Sequence, residues 1–117
     1  MKNSSSTWLQ WCQEYKKAPY TPKVALTHKL FIIHKSLSKV ANKREVNIET
    51  IERQIIQLIV KGLISIDEVV EEGVKKEVLD VLENENITKL SEIKENIDKN
   101  ISWFEIKAVI ASTGIEA

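Results

Sequence analysis

Apolar residues recur along this chain at three-to-four spacing, the period of helices with one buried face. Trp8, Cys12 and Tyr15, flanked by Leu9 and Trp11, predict a short first helix that Pro19 ends. Thr21-Pro22 reads as an N-cap with proline at the first helical position, opening a second helix through Leu26, Leu30 and Ile33. Ser36 caps a short helix with Leu37, Val40 and Ala41 inward, and the small Ala41 lets another helix cross closely. Lys43-Arg44-Glu45-Val46 makes a turn with Val46 as its apolar pin. Asn47 then caps a longer helix whose Ile48, Ile51, Ile55, Leu58 and Ile59 share a face, and Gly62 closes it in the left-handed conformation.

Beyond Gly62, Leu63-Ile64 begins as a short extended pair, and Ser65-x-x-Glu68 is a capping box, which leaves little room for a two-stranded wing. Val74, Val78, Leu79 and Leu82 predict a helix broken at Asn84-Glu85-Asn86; Leu90, Ile93 and Ile97 predict another. Ser102-x-x-Glu105 opens a last helix that buries Trp103, Ile106 and Ile110 by period. The expected architecture is one all-α domain. A short N-terminal helix and linker (residues 1–20) leads to a helix-turn-helix, winged-helix-like core (residues 21–64) and a C-terminal helical extension packing on it (residues 65–117).

Composition supports this reading, since 117 residues with 43% hydrophobic side chains suffice for one modest core, and three Gly and two Pro leave helices little interrupted. No stretch approaches the roughly 20 apolar residues of a membrane span, and Met1-Lys2-Asn3-Ser4-Ser5-Ser6 leads into no signal-peptide core, so an intracellular protein is expected, cytoplasmic and nucleoid-associated if bacterial. The single Cys12 excludes an internal disulfide framework and reads as a buried small hydrophobe.

Formal charge cancels over the chain but not along it. Residues 1–64 carry eleven Lys/Arg against four Asp/Glu, the remainder six against thirteen. The first half therefore offers a basic face to a polyanion, and the acidic second half is repelled by phosphate.

A short helix, a tight turn and a longer helix form the helix-turn-helix, whose second helix can enter a major groove about 12 Å wide. On the expected solvent side of that helix stand Thr50, Arg53, Gln54, Gln57 and Lys61, while Lys35, Ser36, Lys39, Lys43 and Arg44 lie where the first helix would cross the phosphate backbone. Glu49 and Glu52 share the face and oppose phosphate.

Thr27-x-x-Leu30-Phe31, Lys35-Ser36-Leu37-x-x-Val40-Ala41, Arg44-x-Val46, Thr50-Ile51 and Lys61-Gly62-x-Ile64-x-Ile66 occur in order, followed by Ile101-Ser102-x-x-Glu105-Ile106-x-x-Val109-Ile110-Ala111. Together they resemble the helicase helix-turn-helix domain found near the C-terminus of RecQ-like ATP-dependent DNA helicases. The resemblance implies an accessory module that touches DNA or positions a helicase core without carrying the ATPase. Where that family tends to have Gly before Lys-Ser this chain has His34, and where it tends to have His this chain has Gln54.

No catalytic constellation is legible: there is no GxxxxGK[ST] loop, no GxSxG elbow and no HExxH. His28 and His34, six apart, do not share a helical face, so neither metal nor cofactor is expected. Trp8 and Trp11 read as core packing in preference to base stacking. Two function classes follow: weak, salt-dependent DNA binding, with a helicase core or another protein of DNA metabolism as possible partner, or protein interaction through Ile56, Val60 and Leu63 or the acidic tail. A standalone transcriptional regulator lacks a visible ligand domain.

Overall fold

The computed structural model describes residues 15, 17–84 and 90–114. Most of the expected first helix, Trp8 and Cys12 included, thus lies outside the described residues, as do residues 85–89, where the expected helix break at Asn84-Glu85-Asn86 continues, and residues 115–117.

Six helices are described: α1 (Pro22–His34), α2 (Leu37–Arg44), α3 (Ile48–Val60), α4 (Glu72–Leu82), α5 (Leu90–Glu95) and α6 (Trp103–Gly114), with a 3-10 turn at Ile66–Glu68 between α3 and α4. No strand occurs among the described residues, so the fold is all-α with a helix-turn-helix and carries no two-stranded wing there.

Local chemistry sets most of the boundaries. Thr21 Oγ1 accepts from the Val24 amide at 3.3 Å and Pro22 occupies the first turn of α1. Ser36 Oγ accepts from the Lys39 amide at the start of α2. Helix α3 ends in a Schellman motif in which the Leu63 amide donates to Leu58 O at 2.9 Å and the Gly62 amide to Ile59 O at 3.0 Å, with Gly62 at φ +78°. The capping boxes Ser65/Glu68 and Ser102/Glu105 both form. Asn47 holds the N-cap position of α3, but its side chain makes no capping hydrogen bond.

The turn between α2 and α3 is a second Schellman motif: the Val46 amide donates to Ala41 O at 3.1 Å and the Glu45 amide to Asn42 O at 3.2 Å. Its left-handed residue is Glu45, at φ 57°, where glycine would be free of steric cost. Lys35, at φ 55°, turns the chain between α1 and α2. His34 is helical, so the absence of glycine at that position has no backbone consequence.

The core sits between α3 and α6. Helix α3 packs against α1, α2 and α6, and α6 also meets α4, α5 and the 3-10 turn. Six consecutive residues of α3, Ile55 to Val60, are buried, as are Ala108 to Ala111 of α6, whose alanines permit close approach. Val40, Ala41, Ile51, Ile55 and Leu58 are buried together as expected, with Val46 packed on them partly covered. Burial on all sides of the second half of α3 goes beyond the single face that its period predicted.

Three expectations are corrected. Trp103 is 45% exposed, lining a depression with Glu49 and Glu52, while Ile106 and Ile110 enter the core. Helix α1 buries Val24, Thr27 and Phe31, leaving Leu26 and Ile33 outside. Ile56 and Val60 are covered and cannot meet another chain, whereas Leu63 is exposed.

Candidate nucleic-acid interface

The ten residues singled out from the sequence fall into three environments. Lys39 and Lys43 are exposed, one turn apart on the outward side of α2 opposite buried Ala41. Lys35 is also exposed, but its Nζ lies 2.9 Å from Glu68 Oε1 and 5.9 Å from the Phe31 ring centroid, so its charge is partly answered within the fold. That hydrogen bond, joined by the Ser65 amide, holds the Glu68 carboxyl below its ordinary range. Ser36 is half-buried and engaged as the α2 cap, 3.2 Å from Ser38 Oγ. Lys61 is the half-buried C-cap of α3.

Arg44, Gln54 and Gln57 turn inward, correcting the expectation that the latter two stand on a solvent face. Arg44 Nη1 donates at 2.6 Å to both Thr27 Oγ1 and Gln54 Oε1, and the Thr27 hydroxyl donates to the same Gln54 oxygen. This triangle joins α1, α2 and α3 around fully buried Thr27. Gln57 Nε2 donates to Ala18 O and Pro19 O at 3.3 and 2.8 Å, fastening the segment before α1 onto α3. Both are polar groups satisfied internally, as burial requires. No solvent signal in the residue types distinguishes a glutamine that ties a loop from one that reads a base.

Thr50 and Arg53 remain accessible on α3; Arg53 Nη2 lies 3.5 Å from Thr50 Oγ1, a long contact that leaves the guanidinium adjustable. With Tyr15 they divide two depressions. One, of about 490 Å³, extends toward Pro19, Val24 and Gln57; the other, of about 340 Å³, is lined by Glu49, Glu52, Trp103, Phe104 and Lys107. In the second, partial burial and the neighbouring Glu49 raise the Glu52 carboxyl above its ordinary value, with Lys107 acting against them.

The exposed part of α3 is thus confined to its first two turns, where two carboxylates accompany one arginine. Sequence reasoning missed the cations of α1 and of the segment before it. Lys17, Lys23 and Lys29 are exposed, and between Lys16 and Arg44 the chain contains eight Lys/Arg and no Asp or Glu. That carboxylate-free run was the available signal. Among the described residues no three His, Cys, Asp or Glu side chains converge as a metal site would require, and no helix is long and apolar enough to cross a membrane.

A family described as a helix-turn-helix domain matches residues 23–110, which spans α1 through most of α6. No similar curated protein and no similar solved structure was found.

Proposed function

From the premise that the chain belongs to this helix-turn-helix domain family, we propose that it is a non-catalytic DNA-contacting accessory module, working with a RecQ-like helicase and holding duplex or forked DNA mainly by its phosphates. The observation that carries the reading is the exposed pair Lys39 and Lys43 on the first motif helix, within a stretch from Lys16 to Arg44 that contains no carboxylate. The first helix of a helix-turn-helix crosses the DNA backbone, so cations there meet phosphate directly. The helicase context rests on the ordered motifs from Thr27 to Ala111 that resemble the helicase helix-turn-helix domain.

Base reading is limited by the fold. The second half of α3 is enclosed, so only Thr50 and Arg53 are available at the end of the helix that enters a groove, beside Glu49 and Glu52. The two carboxylates offset part of what Arg53 contributes, and binding is weak, electrostatic and little selective.

Titrations of duplex, forked and single-stranded DNA at two salt concentrations test the proposal. Replacing Lys39 and Lys43 together with Ala weakens binding to every duplex alike and flattens the logarithmic salt slope by about 0.9 per lost contact. Equal binding by this variant and the parent at low salt would remove the DNA assignment and favour a protein-interaction role.

A further inference from the structure

Helix α1 is apolar on two opposite sides. Val24, Thr27 and Phe31 face the core, while Leu26 and Ile33, seven residues apart and hence on one line of the helix, are 45% and 61% exposed; Ile32, about 100° round the helix from Ile33, is 55% exposed. Helices α2 and α3 cover the inner side; among the described residues nothing covers the outer one.

The charge around this outer line is of one sign. Lys29 stands between Leu26 and Ile33 and Lys23 precedes them by one turn, both exposed and neither in an ion pair among the described residues. The nearest carboxylates along the chain lie outside the stretch from Lys16 to Arg44. Pairing this face with the same face of a second copy about a two-fold axis would bring Lys23 and Lys29 toward the same cations of that copy, and Glu68, the carboxylate that the fold brings toward α1, is already bonded to Lys35. Nucleic acid answers the lysines but leaves Leu26, Ile32 and Ile33 in contact with water.

We propose that the outer face of α1 is a docking site for an acidic amphipathic helix of a separate protein, whose apolar side chains cover Leu26 and Ile33 and whose flanking carboxylates pair with Lys23 and Lys29. This surface lies on a different helix from Lys39 and Lys43; the carboxylate-free stretch from Lys16 to Arg44 underlies both readings, and the exposed Leu26 and Ile33 belong to this one alone. Burial of the apolar line supplies affinity, and the lysines select the sign of the partner.

The test uses the whole chain and two synthetic helix-forming peptides with leucines along one face, one flanked by glutamates and its twin by lysines. The glutamate peptide binds and the lysine twin does not. Leu26→Ser with Ile33→Ser weakens binding at least about tenfold, a change typical of central interface residues. Lys29→Glu weakens the glutamate peptide and admits the lysine twin, which loss of folding could not produce. Failure of the glutamate peptide to bind, equal binding of both peptides, or indifference to these substitutions overturns the proposal. So does concentration-dependent self-association that Leu26→Ser with Ile33→Ser abolishes, which would assign the face to a second copy, or loss of duplex binding in that variant, which would assign it to DNA.

Discussion

Arg44 at the end of α2 donates to Gln54 in the middle of α3 at 2.6 Å, and the same guanidinium nitrogen donates to Thr27 of α1. A residue at the place where a helix-turn-helix meets phosphate is thereby turned into a clasp between three helices. Its removal leaves Thr27 and Gln54 to satisfy each other alone in a largely covered site. Arg44→Ala is expected to lower unfolding free energy by about 1–3 kcal/mol, measured by urea denaturation. Lys39→Ala and Lys43→Ala, both exposed, stay within about 0.5 kcal/mol of the parent. Equal effects of all three would deny the clasp.

Ile55 is fully buried at the centre of α3. Shortening it to Ala removes apolar contacts and leaves a cavity that rigid helices on several sides cannot close, so a loss of about 2–5 kcal/mol is expected. Thermal unfolding reports it, and an unchanged midpoint would contradict the packing described.

Glu45 adopts the left-handed conformation inside the Schellman turn that joins α2 to α3. A Cβ makes that conformation unfavourable by roughly 1–2 kcal/mol, partly balanced by the greater freedom glycine has when unfolded. Glu45→Gly should therefore stabilise the domain by up to about 1 kcal/mol, and Glu45→Val should destabilise it. Thermal midpoints moving in the opposite order would show that the turn is held by something other than backbone preference.

Burial and Glu49 raise the Glu52 carboxyl in the folded chain. A carboxyl raised on folding binds its proton more tightly when folded, so its contribution to stability is largest below the unfolded value and is lost as pH rises through the folded one. Glu52→Gln should consequently be more stable than the parent at neutral pH, with the advantage shrinking as pH falls through the carboxylate range. Denaturation curves at several pH values test this; an advantage growing toward low pH would reverse the sign. The variant should also bind duplex DNA more tightly, since one opposing charge beside Arg53 is gone.

Helix positions were legible because their signals are local. Ser36, Gly62, Ser65-x-x-Glu68 and Ser102-x-x-Glu105 act on backbone groups within four residues, and each forms the cap or box its spacing predicted. The inward line Ile51, Ile55, Leu58 followed equally from helical period.

Orientation was a different matter. Leu26, Ile33 and Trp103 have the right spacing for a core and stand outside it, while Gln57 is covered and Arg44 is drawn inward. A helical period says that residues share a face and not which neighbours arrive on the others. For α1, apolar on both sides, the period could not choose. The position of α6 against α3 enclosed Ile56 and Val60, and the segment at Ala18 and Pro19 enclosed Gln57. The sequence alone thus determined where the described helices lie, most of their caps, that of Asn47 excepted, and the basic character of the first half, because these depend on neighbours along the chain. Only the tertiary structure decided which polar residues of the motif remain available to a partner, because that depends on helices brought together from distant parts of the chain and on the requirement that each polar group they cover find a bond.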